Sequence, residues 1–229
     1  MDKQQSCIIF TDKSILGKKS KELVSKKFDV KFSGEFDKSN TFDGRLIKFI
    51  MQSKCDWLLN FMSPTLVTDI LLKFPKYLPI NFHPAPPKYP GTGCASYAIY
   101  NGEHRYGATA HIMTNKYDAG AILRVKYFKI SNDDYCDDLF NKAVECNYYL
   151  FKEIINDISK GKKLLIANTK WARIAYTRKD FKKFMTLTLD MPEVEVIKRV
   201  RAISHKTFPG PKIDFQGKEF FLLPRDKNN

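Results

Sequence analysis

Between residues 7 and 83, short apolar runs alternate with stretches of helical periodicity, and this alternation limits the fold more than any other feature of the chain. Runs at 7–10, 28–32, 57–61 and 78–83 have the length and apolar content of strands. The stretches between them, 16–27, 44–53 and 66–74, carry apolar residues at helical spacing, with Leu46, Ile47, Phe49 and Ile50 as one stripe. Parallel neighbours need a crossover connection, and a helix supplies it. The order predicts an α/β fold: a mostly parallel sheet with helices on its faces. In such sheets ligands bind beyond the carboxyl ends of the strands.

The remainder predicts a helix at 94–100, strands at 106–113 and 121–130 with polar residues 114–120 between them, and a long helix at 134–160. Phe140, Ala143, Val144, Phe151, Ile154, Ile155 and Ile158 form a core stripe along that helix, and Gly161 suits its end. A further helix is expected at 193–204, a turn at 208–211, a hairpin of 213–215 and 220–223 around Gln216 and Gly217, and a frayed end after Arg225. The chain divides into a main unit, 1–185, and a small helix-and-hairpin extension, 186–229.

The net charge of +14 favours an acidic partner, whether nucleic acid, an anionic membrane surface or a phosphorylated small molecule; a lysine-rich surface explains it equally well. The lysine clusters at 160–163 and 179–183 lack the aromatic interleaving of a single-strand-binding platform and read as solvated faces. No run is long and apolar enough to span a membrane, and the chain opens without a signal-peptide pattern, so a soluble cytoplasmic protein is expected. Five scattered cysteines without a C-x-x-C pair read as reduced thiols, with no metal site.

The run "LPINFHPAPPKYPGTGC" poses the functional question. Asn81 and His83 are two apart on a strand and therefore share one face, while Leu78, Ile80 and Phe82 are apolar. Prolines and glycines then forbid regular structure. Asn81 offers an amide donor and His83 a donor, acceptor or base near neutral pH. Asp118, in "YDAGAIL", is a carboxylate candidate to orient the imidazole. Alone, His83 reads as a turn histidine and Asp118 as a turn aspartate before glycine. Together they hold the ingredients of acyl transfer without a protein nucleophile.

"NFHPAPPKYPGTG", then "YAIYNGEHRYGATAHIM", then "YDAGAIL" resembles the formyltransferases that use 10-formyltetrahydrofolate. Their Asn-x-His strand end, proline-rich loop, G-x-T-x-H strand and D-x-G-x-I turn occur here in order, densely from Trp57 to Leu123. "RVRAISHKTFPGPKIDFQGKEFF" resembles the family's tail. The resemblance implies catalytic roles for Asn81, His83 and Asp118. It implies a folate pocket at "FMSPTLV", with backbone groups of Met62, Ser63 and Thr65 on the pterin edge, Phe61 and Leu66 on its faces, and Tyr117 beside it. Without the resemblance, that segment is an ordinary strand-to-helix turn.

Three branches differ in the amine they formylate. The chain has no room for the nucleic-acid-binding domain of methionyl-tRNA formyltransferase, although its charge would suit tRNA. The purine-pathway enzyme has a glycine-rich phosphate loop where "IIFTDKSILGKKS" holds one glycine. The branch acting on nucleotide-linked amino sugars resembles this chain most in "FHPAPPKYPGTGC". The resemblance therefore implies a homodimeric sugar N-formyltransferase using 10-formyltetrahydrofolate, with a dTDP-linked 4-amino-4,6-dideoxyhexose such as dTDP-4-amino-4,6-dideoxyglucose as partner and O-antigen or a related glycan as destination. Lys88, Tyr89, Pro90, Gly91, Thr92, Gly93, Tyr97 and Arg201 are its sugar-nucleotide candidates. Neither membrane nor nucleic acid is expected as a partner. A tRNA-directed relative and a non-catalytic basic nucleic-acid-binding module stay open as alternatives.

Overall fold

A computed structural model describes residues 4–37, 42–205 and 210–222. The elements run β1 (Ser6–Thr11), α1 (Ile15–Ser25), β2 (Asp29–Glu35), α2 (Gly44–Ile50), β3 (Trp57–Phe61), α3 (Asp69–Leu72), β4 (Pro79–His83), α4 (Cys94–Tyr100), β5 (Arg105–Ile112), β6 (Ile122–Lys129) and α5 (Cys136–Ser159). They continue with α6 (Arg178–Met185), β7 (Thr186–Leu187), α7 (Glu193–Ile203), β8 (Lys212–Phe215) and β9 (Lys218–Phe221). One sheet has the order β2-β1-β3-β4-β5-β6. Its first four strands are parallel, β5 joins antiparallel to β4, and β6 joins antiparallel to β5. A second sheet, β7-β8-β9, holds the hairpin.

Strand alternation divides the core in two. Cys7, Ile9, Trp57, Leu59, Phe61, Ile80 and Phe82 face α1 and α5. Ile8, Phe10 and Leu58 face the opposite side, with Ile50 and Leu71 of α2 and α3. Each fully buried aliphatic or aromatic side chain contributes about 1.5–3 kcal/mol relative to exposure. The helix α5 is fixed at both ends. Asp138 accepts a hydrogen bond from the Tyr135 backbone N–H at 3.1 Å, and Gly161 follows the last turn at φ +71°. Its middle is tied to the sheet by fully buried Asn147, which donates to the Phe82 carbonyl at 3.0 Å.

The helix expected at 66–74 is only α3, because Thr68 stands at its start and Pro75 disfavours helical backbone at Phe74. The lysine cluster at 179–183 belongs to a helix, α6, which the expectation of a solvated face passed over; Thr177 and Asp180 cap it reciprocally. Tyr97, Ala98 and Ile99 of α4, Phe184 of α6 and Ala202 and Ile203 of α7 share one apolar cluster with Leu139 and Ala143 of α5. The 208–211 turn falls partly, and the end after Arg225 wholly, outside the described residues. Among the described residues no helix is long and apolar enough to cross a membrane, and all five cysteines are free thiols.

Candidate active site

The odd–even alternation that sends Ile80 and Phe82 towards α5 turns Asn81 and His83 to the other face, at the carboxyl end of β4. Asp118 reaches them from the turn between β5 and β6, where its backbone adopts φ +42°, a left-handed conformation that Asp and Asn tolerate better than most residues. His83 Nδ1 lies 3.4 Å from Asp118 Oδ2, and His83 Nε2 donates to the Tyr89 carbonyl at 3.2 Å. Both ring nitrogens thus face acceptors, which a doubly protonated imidazole satisfies together. Asp118 Oδ2 also accepts from the Gly91 N–H at 2.8 Å. Asp118 Oδ1 lies 3.3 Å from His111 Nε2.

Burial pushes the Asp118 carboxyl up. The neighbouring His83 charge, the contact with His111 and the Gly91 N–H outweigh it and hold the group at about 2, down from 3.8. The site therefore keeps a fixed negative charge on a buried carboxylate, wedged between two imidazoles.

His111 and Trp171 were not singled out from the sequence. His111 is 2% exposed, on β5 directly across from Asn81. Its Nδ1 donates to the Ile112 carbonyl at 3.0 Å, and its Nε2 meets Asn81 Nδ2 at 3.0 Å. A histidine at an inward position of an apolar strand, in "GATAHI", was the available signal. Trp171 stands in the irregular strap between α5 and α6. The strap is pinned by Ala167 N–H to Ile122 O at 2.8 Å, Ala172 N–H to Pro87 O at 3.0 Å and Tyr176 N–H to Pro90 O at 2.9 Å. The Trp171 ring meets His111 and His83 edge-on, with centroids 5.1 and 6.0 Å apart. The strap covers both imidazoles, and no periodic pattern marks such a segment.

Several expected ligand residues have other work. Phe61 lies on the α5 face of β3 by the same alternation, fully buried with its ring 5.1 Å from that of Phe151, so its ring is not open to a ligand. Tyr89 is 2% exposed and donates its hydroxyl to Glu103 at 2.7 Å; only its carbonyl faces the site. Lys88 pairs with the same carboxylate at 2.5 Å. Tyr97 is buried and stacked on Tyr176 at 3.8 Å between centroids. Pro90 is buried, and its carbonyl takes the Tyr176 N–H.

The glycines of the loop admit close approach, but by the protein itself. A Cβ on Gly91, at φ +92°, would fall 2.3 Å from the Tyr176 carbonyl oxygen, and one on Gly93 2.2 Å from the Phe181 ring. The Thr92 N–H is taken by the Tyr176 carbonyl at 2.9 Å. Arg201 binds the carbonyls of Asn132 and Asp134 and lines a groove with Ile99, Asn101 and Gly102, at the far end of α4 from Gly93. At the end of β3, Met62 takes φ +61°, Ser63 and Thr65 are half-buried, and Leu66 and, across the site, Tyr117 are exposed.

Residues 4–155, more than half of the chain, match the formyl transferase family. The GDP-perosamine N-formyltransferase of Brucella melitensis is 23% identical over 168 residues, covering 73% of this chain and 64% of that protein. The methionyl-tRNA formyltransferase of Mycoplasmopsis pulmonis is 28% identical over 150 residues, covering 60% and 50%. The chain spans between 18% and 64% of the length of the first curated relatives it matches. Among solved structures, a 4-N formyltransferase from Francisella tularensis superposes with a TM-score of 0.75 at 20% identity, covering 96% of this chain and 97% of that one. An N-formyltransferase from Helicobacter canadensis, in complex with folinic acid and dTDP-3-aminofucose, gives 0.67 at 18%, covering 94% and 85%. With residues 4–155 matched, and with the Asn81, His83 and Asp118 cluster inside that segment, the chain belongs to the formyl transferase family.

Proposed function

We propose that this protein transfers a formyl group from 10-formyltetrahydrofolate to the amine of a nucleotide-linked amino sugar. The observation that carries the reading is the cluster of an amide, an imidazole and a buried, ionised carboxylate at the ends of β4 and the β5–β6 turn. It provides donors and a proton acceptor for acyl transfer between two bound molecules, with no activated serine or cysteine: Cys94, the thiol near His83, donates to the Gly91 carbonyl, and burial pushes its ionisation far up.

The donor supplies an electrophilic formyl carbonyl. Asn81 Nδ2 offers an N–H group to the oxygen on which negative charge develops, and His83 adds a second donor when its Nε2–H turns from the Tyr89 carbonyl to that oxygen, the type of stabilisation whose loss costs about 10²–10³ in turnover. Asp118 holds the His83 ring and accepts, directly or through water, the proton that the attacking amine releases. Met62, Ser63 and Thr65, half-buried at the left-handed turn that ends β3, are the groups read as meeting the edge of a flat heterocycle, although the Thr65 N–H meets Ser63 Oγ at 3.4 Å and the Thr65 hydroxyl donates to the Asp37 carbonyl at 3.3 Å. Leu66 and Tyr117 offer exposed apolar surface for its faces.

A sugar nucleotide as acceptor is supported by the relatives named for such sugars and by the +14 charge, which suits a diphosphate. A dTDP-linked 4-amino-4,6-dideoxyglucose destined for O-antigen, a cytoplasmic location and a homodimer complete the reading. Half-exposed Phe215, Phe220 and Phe221 on the hairpin favour self-association. We take 1–185 as the catalytic unit and 186–229 as its extension. The methionyl-tRNA reading is favoured by the 28% identity to such an enzyme and by the +14 charge, which would suit tRNA as well. The deciding experiment offers 10-formyltetrahydrofolate with dTDP-, GDP- and UDP-linked 3- and 4-amino sugars and with charged methionyl-tRNA, and reads the products by mass spectrometry. Formylation of a sugar nucleotide is expected. Preference for the tRNA, or no transfer to any amine, overturns the reading.

A further inference from the structure

Asn60, Asn81 and His111 occupy one register row on three neighbouring strands: Asn60 pairs with Asn81 across β3 and β4, and Asn81 with His111 across β4 and β5. Strand alternation puts Asn60 with Leu58, on the face opposite α5 and shared with Asn81. Asn60 is 7% exposed. Its Nδ2 donates to Asn81 Oδ1 at 2.8 Å, and Asn81 Nδ2 in turn meets His111 Nε2 at 3.0 Å. The far end is anchored by the backbone, because His111 Nδ1 can only donate to the Ile112 carbonyl; Nε2 is shared between Asn81 Nδ2 at 3.0 Å and Asp118 Oδ1 at 3.3 Å, and it accepts from the amide whenever it carries no proton for the carboxylate.

A side-chain amide can sit either way round, and only its partners decide which. The reversed row would bring Asn81 Oδ1 onto His111 and turn Asn81 Nδ2 onto Asn60. Asn60 would then have to accept, leaving its own NH₂ group buried without a partner. In the observed row the unpartnered atom is Asn60 Oδ1. A buried carbonyl oxygen short of a donor is tolerated more readily than an orphaned N–H. The asymmetry favours the row in which Asn60 donates.

We infer that Asn60 is a positioning residue: by occupying Asn81 Oδ1, it presents the N–H groups of Asn81 to His111 and to the reacting carbonyl. Without that bond Asn81 is free to turn its oxygen into the site, where it repels the developing oxyanion. The consequence for turnover rests on the formyl-transfer reading; the orientation of the amide does not.

Two substitutions test this. Asn60→Asp supplies an acceptor in place of the donor and draws Asn81 Nδ2 towards it. Asn60→Leu removes the donor while keeping the branching and the number of side-chain heavy atoms, and covers the case in which the buried carboxylate prevents folding. The orientation is read by NMR on ¹⁵N-labelled protein, as the nuclear Overhauser contact between the Asn81 side-chain NH₂, assigned by its disappearance in Asn81→Ala, and the His111 ring. That contact is expected in the wild type and lost in Asn60→Asp. Kinetics then read the consequence: kcat falls about 10²-fold in Asn60→Asp, as for a lost oxyanion donor, and less in Asn60→Leu, with KM for both substrates unchanged. A folded variant that keeps the contact overturns the proposal, whether or not any amine is formylated. So does a variant that loses the contact and keeps wild-type kcat in an enzyme that does transfer formyl.

Discussion

Trp171 donates its indole N–H to the Gly120 carbonyl at 2.8 Å, so a residue 51 positions further along the chain holds the turn that carries Asp118. The same ring stands edge-on to His111 and His83. Trp171→Phe keeps a ring over the histidines and deletes the bond; Trp171→Ala deletes both. Turnover is expected to fall several-fold in the first and about 10²-fold in the second, the cost of small displacements of reacting groups. Steady-state rates check it, and equal rates in both variants would deny the strap any part in the chemistry.

Asp118→Asn preserves the left-handed backbone, which asparagine accepts, and removes the charge. Ligand affinities should hold while kcat falls about 10²-fold or more. Retained turnover would leave Asp118 as a turn residue.

The same carboxylate sets an acid dependence. Its value is held below that of the unfolded chain, about 2 against 3.8. The stability it contributes is therefore full above the unfolded value and is lost as pH falls towards 2. The depression corresponds to about 2 kcal/mol. Denaturant melts from pH 6 to pH 2 should show the wild type converging on Asp118→Asn as acid is added. A gap that stays constant with pH would count against an ionised Asp118.

His83→Ala and Asn81→Ala should fold and lose most turnover, about 10²–10³-fold for each donor removed. Circular dichroism with single-turnover formyl transfer checks both halves of the expectation. Near-normal turnover in either folded variant removes that residue from the site.

Gly91→Ala tests the seat of the strap. At φ +92° an alanine is strained, and its methyl group would meet the Tyr176 carbonyl. A loss of about 1–3 kcal/mol is expected, together with faster hydrogen exchange at the Thr92 and Tyr176 amides, which bond across this contact. Unchanged exchange at both amides would show that the strap does not depend on Gly91.

The parallel strands and the shared face of Asn81 and His83 were legible because period-two alternation and a proline-rich stop are local signals, whereas Asp118, by itself a turn aspartate, was joined to them by the resemblance. Phe61 shows the limit of carrying a pocket residue over by position: its parity in β3 already assigned it to the α5 face. His111 was in view as the last residue of the G-x-T-x-H strand, but its part in the site depends on a partner, Asn81, that comes from the adjacent strand. The helix α6 was hidden by its lysines, although Thr177 and Asp180 stood three apart as a capping signal. The strap gave no sign, since its conformation is fixed by backbone bonds to residues 87, 90, 92 and 122 and not by its own side-chain pattern.

The strap leaves α5 at Gly161 and enters α6 at Thr177, two points fixed by the scaffold. Every group offered for proton handling lies before residue 119, whereas the residues drawn over them begin after residue 160, past the matched segment that ends at 155. Roof and hearth are thus separate purchases on the chain. A rewritten strap would leave the residues of the sheet as they are, but it would have to keep an indole at 171 for the Gly120 carbonyl and the backbone bonds of 167, 172 and 176, because the Asp118 turn and the proline-rich loop lean on them.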